Sequence, residues 1–367
     1  MSGPRWFDRE EGLRRLADDP FDVLVVGGGI TGAGVARDAA LRGLSVALVE
    51  KSDFGSGTSS KSSKLIHGGL RYLQHAEFGL VFEAVSERTL LLRLAPHLVR
   101  PLSFLVPSYK GQYPGLFTLD CGLWLYDALS RFAAPSRHRT YRAGALRALE
   151  PGLSATKLSG GIVYYDSMTD DARLTLENII DARAHGAVVA SYAQVVGLSR
   201  GADGAISGAR VRDALGEQVV DVKARVTVNA TGPWSDGILG LLEPGTAQAP
   251  LLRPTKGVHI VVDARRLPVR HAVVLQSPDD SRVLFIIPWY DTDGANPEPG
   301  ARTVVGTTDT DYRGDPDQVA ADGTDIGYLL RAVNHYYPEV ALAPADVLST
   351  WAGLRPLVAP EGNELHA

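Results

Sequence analysis

Residues 21–50 read FDVLVVGGGITGAGVARDAALRGLSVALVE, and this pattern alternates between two kinds of secondary structure. The valine-rich run Phe21 to Val26 predicts a buried parallel strand that leads into a glycine-rich turn. A helix follows as far as Leu41, and Gly43 fits a left-handed position at its end. Ser45 to Val49 predicts a second strand, so the segment forms a strand-helix-strand unit of about 30 residues.

The pattern G-x-G-x-x-G occurs within this unit as Gly27, Gly29 and Gly32. The first glycine allows a tight turn, the second lets the backbone approach a pyrophosphate, and the third lets the helix pack closely against the strand. The helix N-terminus offers unpaired N–H groups and the positive end of its dipole to phosphates. Glu50, at the end of the second strand, can accept both hydroxyls of an adenosine ribose. The unit predicts a dinucleotide site, and an ordinary glycine-rich turn is the alternative.

The next segment bears on which dinucleotide is bound, since NAD and FAD share this unit. Residues 54–73 read FGSGTSSKSSKLIHGGLRYL, a stretch rich in Ser, Thr and Gly that also holds His67, Arg71 and Tyr72. A flexible linker is one interpretation of that composition. The other is a loop whose hydroxyl and N–H groups wrap a cofactor, followed by an arginine that faces an anionic substrate.

Further elements supply the remainder of the predicted scaffold. Val226–Asn229 predicts a strand ending in small residues that let the backbone lie against a flat ring or a phosphate. Asp170–His185 predicts an amphipathic helix with an Asp cap, and a strand near Ala187–Val195 extends the nucleotide-binding sheet. Two more helices are predicted over 77–94 and 114–132. Their predicted inward residues, with those of the helix at 170–185, are Phe117, Leu123, Trp124, Leu174, Leu176, Ile179, Ile180 and Ala182.

Two polar residues stand out in the second half of the chain. His259 lies in the alternating strand Val258–Val262, so its side chain points away from that of Val258; a lone strand histidine is usually a structural residue. Arg355 lies in an apolar stretch, where it either pairs with a buried acid or binds an anion. Apolar segments near Val258, Val273, Leu284 and Val304 predict a mostly antiparallel sheet.

Composition excludes several classes of protein. The 367 residues carry a formal charge of −5 without acidic or basic blocks, which argues against nucleic-acid binding. Cys121 is the one cysteine, so neither an intrachain disulfide nor a thiolate metal site is expected, and the scattered histidines predict no metal. No apolar run is long enough for a membrane span, and the N-terminus is charged, so a cytoplasmic protein is expected.

The sequence resembles the FAD-dependent, quinone-linked glycerol-3-phosphate dehydrogenases over about residues 20–358. Beyond the segments already quoted, matching motifs occur in family order: DDARL at 170–174, NATGPWS at 229–235, KGVHIVV at 256–262, IPW at 287–289, GTTD at 306–309 and GLRPL at 353–357. The resemblance implies an α/β fold with an FAD-binding, Rossmann-like (amino-acid-oxidase-like) domain and a mostly antiparallel substrate-binding sheet domain. We expect residues 1–75, 152–240 and 346–367 in the first, and 76–151 and 241–345 in the second.

The resemblance also implies roles for individual residues. His259 is expected to be the base, and Arg71 and Arg355 are expected to clamp a phosphate, with Tyr72 completing the substrate site. Lys64 and Lys256 are weaker candidates for added positive charge. The expected FAD-binding residues are Gly27, Gly29, Ile30, Thr31, Gly32, Glu50, Lys51, Thr58, Ser59, Ser60, Ser63, His67, Gly68, Gly69, Val195, Ala230, Thr231 and Gly232.

The implied reaction is oxidation of sn-glycerol 3-phosphate to dihydroxyacetone phosphate by hydride transfer to FAD. A membrane quinone then takes the electrons, which implies peripheral association with the inner face of the membrane, and a homodimer is the expected assembly. The alternatives are a glycerol-3-phosphate oxidase that uses oxygen, an oxidoreductase of amines or 2-hydroxy acids, and a non-catalytic flavin-binding remnant. The sequence ends before the GKLTTYR-like segment and helical C-terminal domain of that family, so we expect a truncated form.

Overall fold

A computed structural model of the chain describes residues 9–68, 77–129, 136–216, 218–242, 249–289 and 300–360. Two sheets organise these residues. In chain order the strands are β1 Pro20–Val26, β2 Val46–Val49, β3 Leu65–Ile66, β4 Val99–Tyr109, β5 Arg139–Arg142, β6 Leu158–Thr169, β7 Val188–Ala190, β8 Ala193–Arg200, β9 Ile206–Asp213, β10 Val219–Asn229, β11 Leu252–Asp263, β12 Ala272–Gln276, β13 Val283–Trp289, β14 Arg302–Gly306, β15 Thr310–Asp311 and β16 Val347–Val358.

The helices pack on the faces of these sheets. They are α1 Arg9–Asp18, α2 Ile30–Leu41, α3 Phe78–Leu94, α4 Leu116–Leu129, α5 Ala143–Leu149, α6 Asp171–Ala184, α7 Ser235–Leu239 and α8 Gly323–Tyr336. Single 3₁₀ turns lie at Thr58–Ser60, Gly232–Trp234, Pro316–Gln318 and Pro344–Asp346. None of the helices in the described ranges combines the length and apolar character that a membrane span requires.

The first sheet has the strand order β7-β2-β1-β10-β9-β8. Strands β7, β2, β1 and β10 are parallel, whereas β8, β9 and β10 pair antiparallel. The predicted strand-helix-strand unit is confirmed as β1, α2 and β2, and Gly43 has a φ of +82° after the helix. The carboxyl ends of β1, β2 and β10 therefore meet at one edge, where parallel sheets place their ligands.

Helix α6 confirms most of the predicted amphipathic helix. The carboxylate of Asp170 caps it by accepting the Arg173 N–H, and Ile179 and Ala182 are buried against α2 and the sheet. Ile180 is 48% exposed, so its predicted inward position was wrong. The predicted strand at 187–195 is two strands: β7 extends the sheet beside β2, and β8 lies at the opposite edge.

The second sheet follows the order β15-β11-β14-β13-β12-β4-β6-β3, with β16 paired to β11 and β5 paired to β6. It is mostly antiparallel, as predicted; the β4–β12 pair is parallel. One face packs Val258 and Ile260 against Leu329 and Val333 of α8. The other face is covered by α3 and α4, and His259 lies on this side because adjacent residues of a strand point to opposite faces.

Two predicted core residues of α4 are exposed. Leu123 is buried as predicted, but Phe117 is 82% exposed and Trp124 is 50% exposed. Helix α4 is apolar almost all round, so its pattern did not specify which side faces the sheet.

The predicted domain division stays a prediction, but two strands differ from it in their sheet membership. Leu158–Thr169 pairs with β4 and Val347–Val358 pairs with β11, so both lie in the second sheet. Both fall in segments expected in the FAD-binding domain. Pairing between strands far apart in sequence leaves no local signal, so this membership could not be inferred from either strand's own pattern.

Candidate functional site

A cleft of about 1400 Å³ opens at the carboxyl ends of β1, β2 and β10 and is bounded on another side by β16. Trp351, Leu354 and Pro356 contribute to its wall from that strand. Most of the residues predicted to bind the cofactor line it: Gly27, Gly29, Ile30, Thr31, Glu50, Lys51, Thr58, Ser59, Val195, Ala230, Thr231 and Gly232. The structure thus brings together residues from four separate parts of the sequence.

The glycine-rich loop is closely packed, and Gly27 and Gly32 have no room for a side chain. Gly27 has a φ of +107°, and a Cβ atom on it would lie 2.5 Å from the carbonyl oxygen of Ala230. A Cβ on Gly29 would lie 3.1 Å from Ser59 Oγ, and one on Gly32 would lie 1.9 Å from the carbonyl oxygen of Gly27. These contacts form a narrow cradle at the N-terminus of α2, which is the kind of site that binds a pyrophosphate.

Two side chains, those of Glu50 and Ser59, accept hydrogen bonds from the backbone at this cradle. Glu50 accepts hydrogen bonds from the backbone N–H groups of Gly28 through Oε2 and of Ser52 through Oε1, each at 2.8 Å. These bonds fix the direction of its carboxylate, which keeps further lone pairs for a ribose. At the start of α2, Ser59 Oγ accepts the N–H of Ile30 at 2.8 Å. The residues therefore fit a dinucleotide such as FAD.

Lys51, Trp234 and Asp317 close one side of the cleft. Lys51 Nζ lies 2.5 Å from Asp317 Oδ1, and Trp234 Nε1 donates to the same oxygen at 2.9 Å. The ammonium of Lys51 also lies 4.5 Å from the centre of the Trp234 ring, within the range of a cation–π contact. The resemblance implied a cofactor role for Lys51 alone, and no predicted motif included Asp317.

His259 is held in a closed environment next to this cleft. Its side chain is 2% exposed, its ring stacks on Trp351 with 5.0 Å between centres, and its Nε2 lies 2.8 Å from Ser63 Oγ. Within the described ranges its buried Nδ1 has no hydrogen-bond partner. Burial, followed by the charges of Arg355 and Lys64, lowers the pKa of His259 to about 3. The imidazole is therefore neutral at pH 7 and can accept a proton.

Arg355 lies on the same face of the second sheet as His259 and beside a carboxylate. Its Nη1 lies 3.0 Å from Asp309 Oδ1, and its Nη2 lies 3.3 Å from Thr307 Oγ1. Gly257 leaves room for this guanidinium, because a Cβ there would lie 2.9 Å from Nη2. Both partners of the ion pair are partly exposed, so Arg355 can reach an anion from solvent as well as Asp309.

The two lysines considered as added cations differ in surroundings. Lys64 Nζ lies 2.6 Å from Asp171 and within 6 Å of the rings of Trp289 and Trp351. Lys256 is held between Asp322 and Asp325 at the start of α8, at 2.9 and 2.6 Å. Lys256 therefore joins the sheet to this helix.

Other predicted site residues lie away from the walls of the cleft. Gly32 packs beneath the glycine-rich loop, Ser60 donates weakly to Gly57, and Ser63 contacts His259. His67 is exposed beside Phe285, and Gly68 donates its N–H to the Tyr126 hydroxyl. Gly69, Arg71 and Tyr72 lie outside the described residues.

A buried polar network that the sequence did not reveal supports this loop. Asp166 accepts from Arg88 and from Tyr126, whose hydroxyl in turn holds the N–H of Gly68. Arg88, Asp166 and Tyr126 are almost fully buried. Arg88 shares its helix with Glu83, Glu87 and Arg93, so the local sequence did not mark it as buried, and its partner lies 78 positions away.

The chain matches the family described as DAO, FAD dependent oxidoreductase, over residues 22–366. It is 46% identical over 365 residues to the glycerol-3-phosphate dehydrogenase of Mycobacterium leprae, covering 99% of this chain and 59% of that protein. It is 40% identical over 355 residues to the alpha-glycerophosphate oxidase of Streptococcus pneumoniae, covering 96% and 57% respectively. The chain thus spans somewhat under three-fifths of the length of these curated relatives.

Solved structures agree with this match. The glycerol-3-phosphate dehydrogenase from Bacillus halodurans, complexed with FAD, superposes with a TM-score of 0.77 and 34% identity, over 96% of this chain and 60% of that one. The FAD-bound oxidase of Mycoplasma pneumoniae, at 18% identity and a TM-score of 0.70, shares the fold. These matches confirm the predicted α/β FAD-binding fold and FAD as the cofactor. The chain belongs to the family of FAD dependent oxidoreductases.

Proposed function

We propose that this chain oxidises sn-glycerol 3-phosphate to dihydroxyacetone phosphate, with FAD as the hydride acceptor. The relatives named above as glycerol-3-phosphate dehydrogenases support this substrate. The single observation that carries the proposal is the position of a neutral, buried His259 on the same sheet face as Arg355 and close to Lys64. A proton acceptor beside two cations suits an alcohol that carries a phosphate dianion.

FAD supplies the redox chemistry, and the protein binds and orients the reactants. The glycine cradle and Glu50 are proposed to hold the nucleotide part, because the cradle lies at the N-terminus of α2, which favours phosphates, and Glu50 offers a carboxylate to the ribose. Arg355 is proposed to take the substrate phosphate, for which a planar guanidinium offers two parallel donors. Arg71 remains the proposed second partner of that phosphate, and Tyr72 remains a proposed substrate-binding residue. His259 accepts the proton of the substrate hydroxyl.

The test is an absorbance spectrum of the purified full chain with added FAD, followed by anaerobic glycerol 3-phosphate. We expect flavin bands that bleach when the substrate is added. Glycerol without its phosphate is the control and should leave the bands unchanged at the same concentration. Absorbance bands of bound, oxidised flavin that persist after glycerol 3-phosphate is added would reject the proposed reaction. They would still support the cofactor site.

Oxygen as the electron acceptor is the second candidate, because the chain is also 40% identical to alpha-glycerophosphate oxidases. Reoxidation of the reduced protein under air, with stoichiometric hydrogen peroxide, would favour the oxidase. Slow reoxidation by oxygen and fast reoxidation by a soluble quinone would favour the dehydrogenase. If the chain is an oxidoreductase of amines or 2-hydroxy acids, those compounds should bleach its flavin bands. Arg355 should then not be needed for substrate binding.

We further propose a membrane quinone as the acceptor and peripheral binding to a membrane surface. Helices α3 and α4 pack together and expose several large apolar side chains: Phe78, Leu80, Phe82, Leu90, Leu94, Phe117, Trp124 and Leu125. Large apolar side chains exposed on neighbouring helices suit a surface that binds a membrane or another protein. Flotation with phospholipid vesicles tests whether the chain binds a membrane surface. Sedimentation equilibrium without lipid tests whether it forms the proposed homodimer.

A further inference from the structure

We propose that the Ser63 hydroxyl relays the proton of the substrate to His259, so that the base acts through Ser63 without touching the substrate. This inference rests on the proposed function. Ser63 was expected to bind the cofactor. The structure places its hydroxyl 2.8 Å from His259 Nε2 and outside the walls of the cofactor cleft.

The geometry leaves His259 little other access. Its side chain is almost fully buried, and one face of its ring is covered by Trp351. The edge that carries Cδ2 and Nε2 lies against Gly306, where a Cβ atom would come within 2.1 Å of the ring. Nδ1 is covered as well. Ser63 as a residue is partly exposed and its hydroxyl is the group bonded to Nε2, so we assign this hydroxyl as the route to the base.

The relay balances in atoms and charge. The proton of the C2 hydroxyl moves to Ser63 Oγ while the Ser63 proton moves to His259 Nε2, and the C2 hydrogen leaves as hydride to the flavin. The alcohol becomes a ketone, the imidazole becomes an imidazolium, and the serine ends with the hydroxyl that it had at the start. The relay requires that the single proton of the neutral ring lies on Nδ1, so that Nε2 can accept.

The charges around the ring make this base depend on the substrate. Two cations act against a charged imidazole. Arg355 lies on β16 and pairs with Asp309, and Lys64 lies just before β3 and pairs with Asp171. A phosphate dianion bound at Arg355 offsets these cations and raises the proton affinity of His259. The base then becomes stronger when the substrate is in place.

Histidine NMR tests the relay without turnover. The nine histidines of the full chain are labelled with ¹⁵N, and H259Q identifies the His259 signals. We expect Nδ1 to carry the proton and Nε2 to show the shift of a hydrogen-bonded acceptor. The Nε2 signal should move in S63A and stay in S63T, which keeps the hydroxyl. A proton on Nε2 in the wild-type chain would overturn the proposal.

Flavin reduction by glycerol 3-phosphate supplies the kinetic test. S63A should slow reduction about 100-fold with little change in the substrate concentration at half-saturation, and S63T should recover most of the rate. FAD affinity should equal that of wild type in both variants. S86A, which removes an exposed hydroxyl on α3, is the control. A normal rate in S63A with an active wild type rejects the relay alone. An unreactive wild type rejects the proposed function and the relay of the substrate proton with it, and the NMR result then tests only the Ser63–His259 hydrogen bond.

Discussion

Gly32 lies so close to Gly27 that a Cβ atom on Gly32 would be 1.9 Å from the Gly27 carbonyl oxygen. The first turn of α2 therefore rests directly on the glycine-rich loop that it follows. This contact fixes the spacing between the loop and the N-terminus of α2, both of which line the cleft. Gly34, two residues later on the same helix, has no atom within 4 Å of the corresponding position.

Replacing Gly32 with alanine should therefore damage both the fold and the cofactor site. We expect G32A to lower the free energy of unfolding by several kcal/mol, because backbone atoms must move, and to abolish stable FAD binding. G34A is the matched control and should be neutral or stabilising by up to about 1 kcal/mol, since alanine is the better helix former. Urea unfolding and FAD retention on gel filtration measure both effects. Equal stability of the two variants would contradict the close packing.

Glu50 should determine cofactor affinity. E50Q keeps the shape of the side chain but loses the charge that attracts the Gly28 and Ser52 N–H groups and the ribose hydroxyls. Hydrogen bonds to charged groups contribute about 1.5–3 kcal/mol, so we expect the Kd for FAD to rise at least tenfold. Fluorescence titration measures this value. E10Q, at an exposed position on α1, should leave the Kd unchanged.

The buried His259 should make stability depend on pH. Its folded-state pKa of about 3 lies below the ordinary value of 6.5, so between these values the unfolded chain binds a proton that the folded chain does not. Stability is fully present above about pH 6.5 and falls as the pH drops toward 3. Between pH 7 and pH 4, we expect the unfolding free energy of wild type to fall more than that of H259Q. A constant difference across that range would show that His259 titrates normally.

Arg355 should govern substrate binding without affecting the cofactor. Under the proposed function, R355A removes a charged donor to the phosphate and should weaken glycerol 3-phosphate binding by about 100-fold. R355K should recover only part of the affinity, because an ammonium lacks the planar pair of donors. Half-saturation of flavin bleaching reports on the substrate. Arg331 lies on α8 and forms an exposed ion pair with Asp279. R331A breaks this pair and should bind glycerol 3-phosphate as wild type does.

The buried pair of Arg88 and Asp166 should be sensitive to loss of its negative charge. D166N leaves the Arg88 guanidinium without its countercharge in the interior, so we expect a loss of about 3–5 kcal/mol in the free energy of unfolding. D279N breaks the exposed pair with Arg331 and should cost less than about 1 kcal/mol. Chemical denaturation compares the two. A small effect of D166N would mean that water or another group reaches Arg88.

Local patterns were sufficient to predict the nucleotide-binding unit. Strand, turn, helix and acid follow one another within residues 21–50, and each has a periodicity or a glycine requirement that can be recognised within a few positions. Of the residues predicted from this unit, Gly27, Gly29 and Glu50 line the cleft, and Gly32 packs beneath the loop. The second sheet was also predicted as mostly antiparallel, from the apolar segments near Val258, Val273, Leu284 and Val304.

Only the tertiary structure decided which distant residues meet. Ser63 and His259 are 196 positions apart, Lys51 and Asp317 are 266 apart, and Arg88 and Asp166 are 78 apart. The helix that exposes Phe117 and buries Leu123 has no clear polar side in its own sequence. Such contacts depend on strand pairing and helix docking, which are selected by the energy of the whole core. A local pattern can therefore state that a histidine or an arginine is unusual, but not which partner determines its charge.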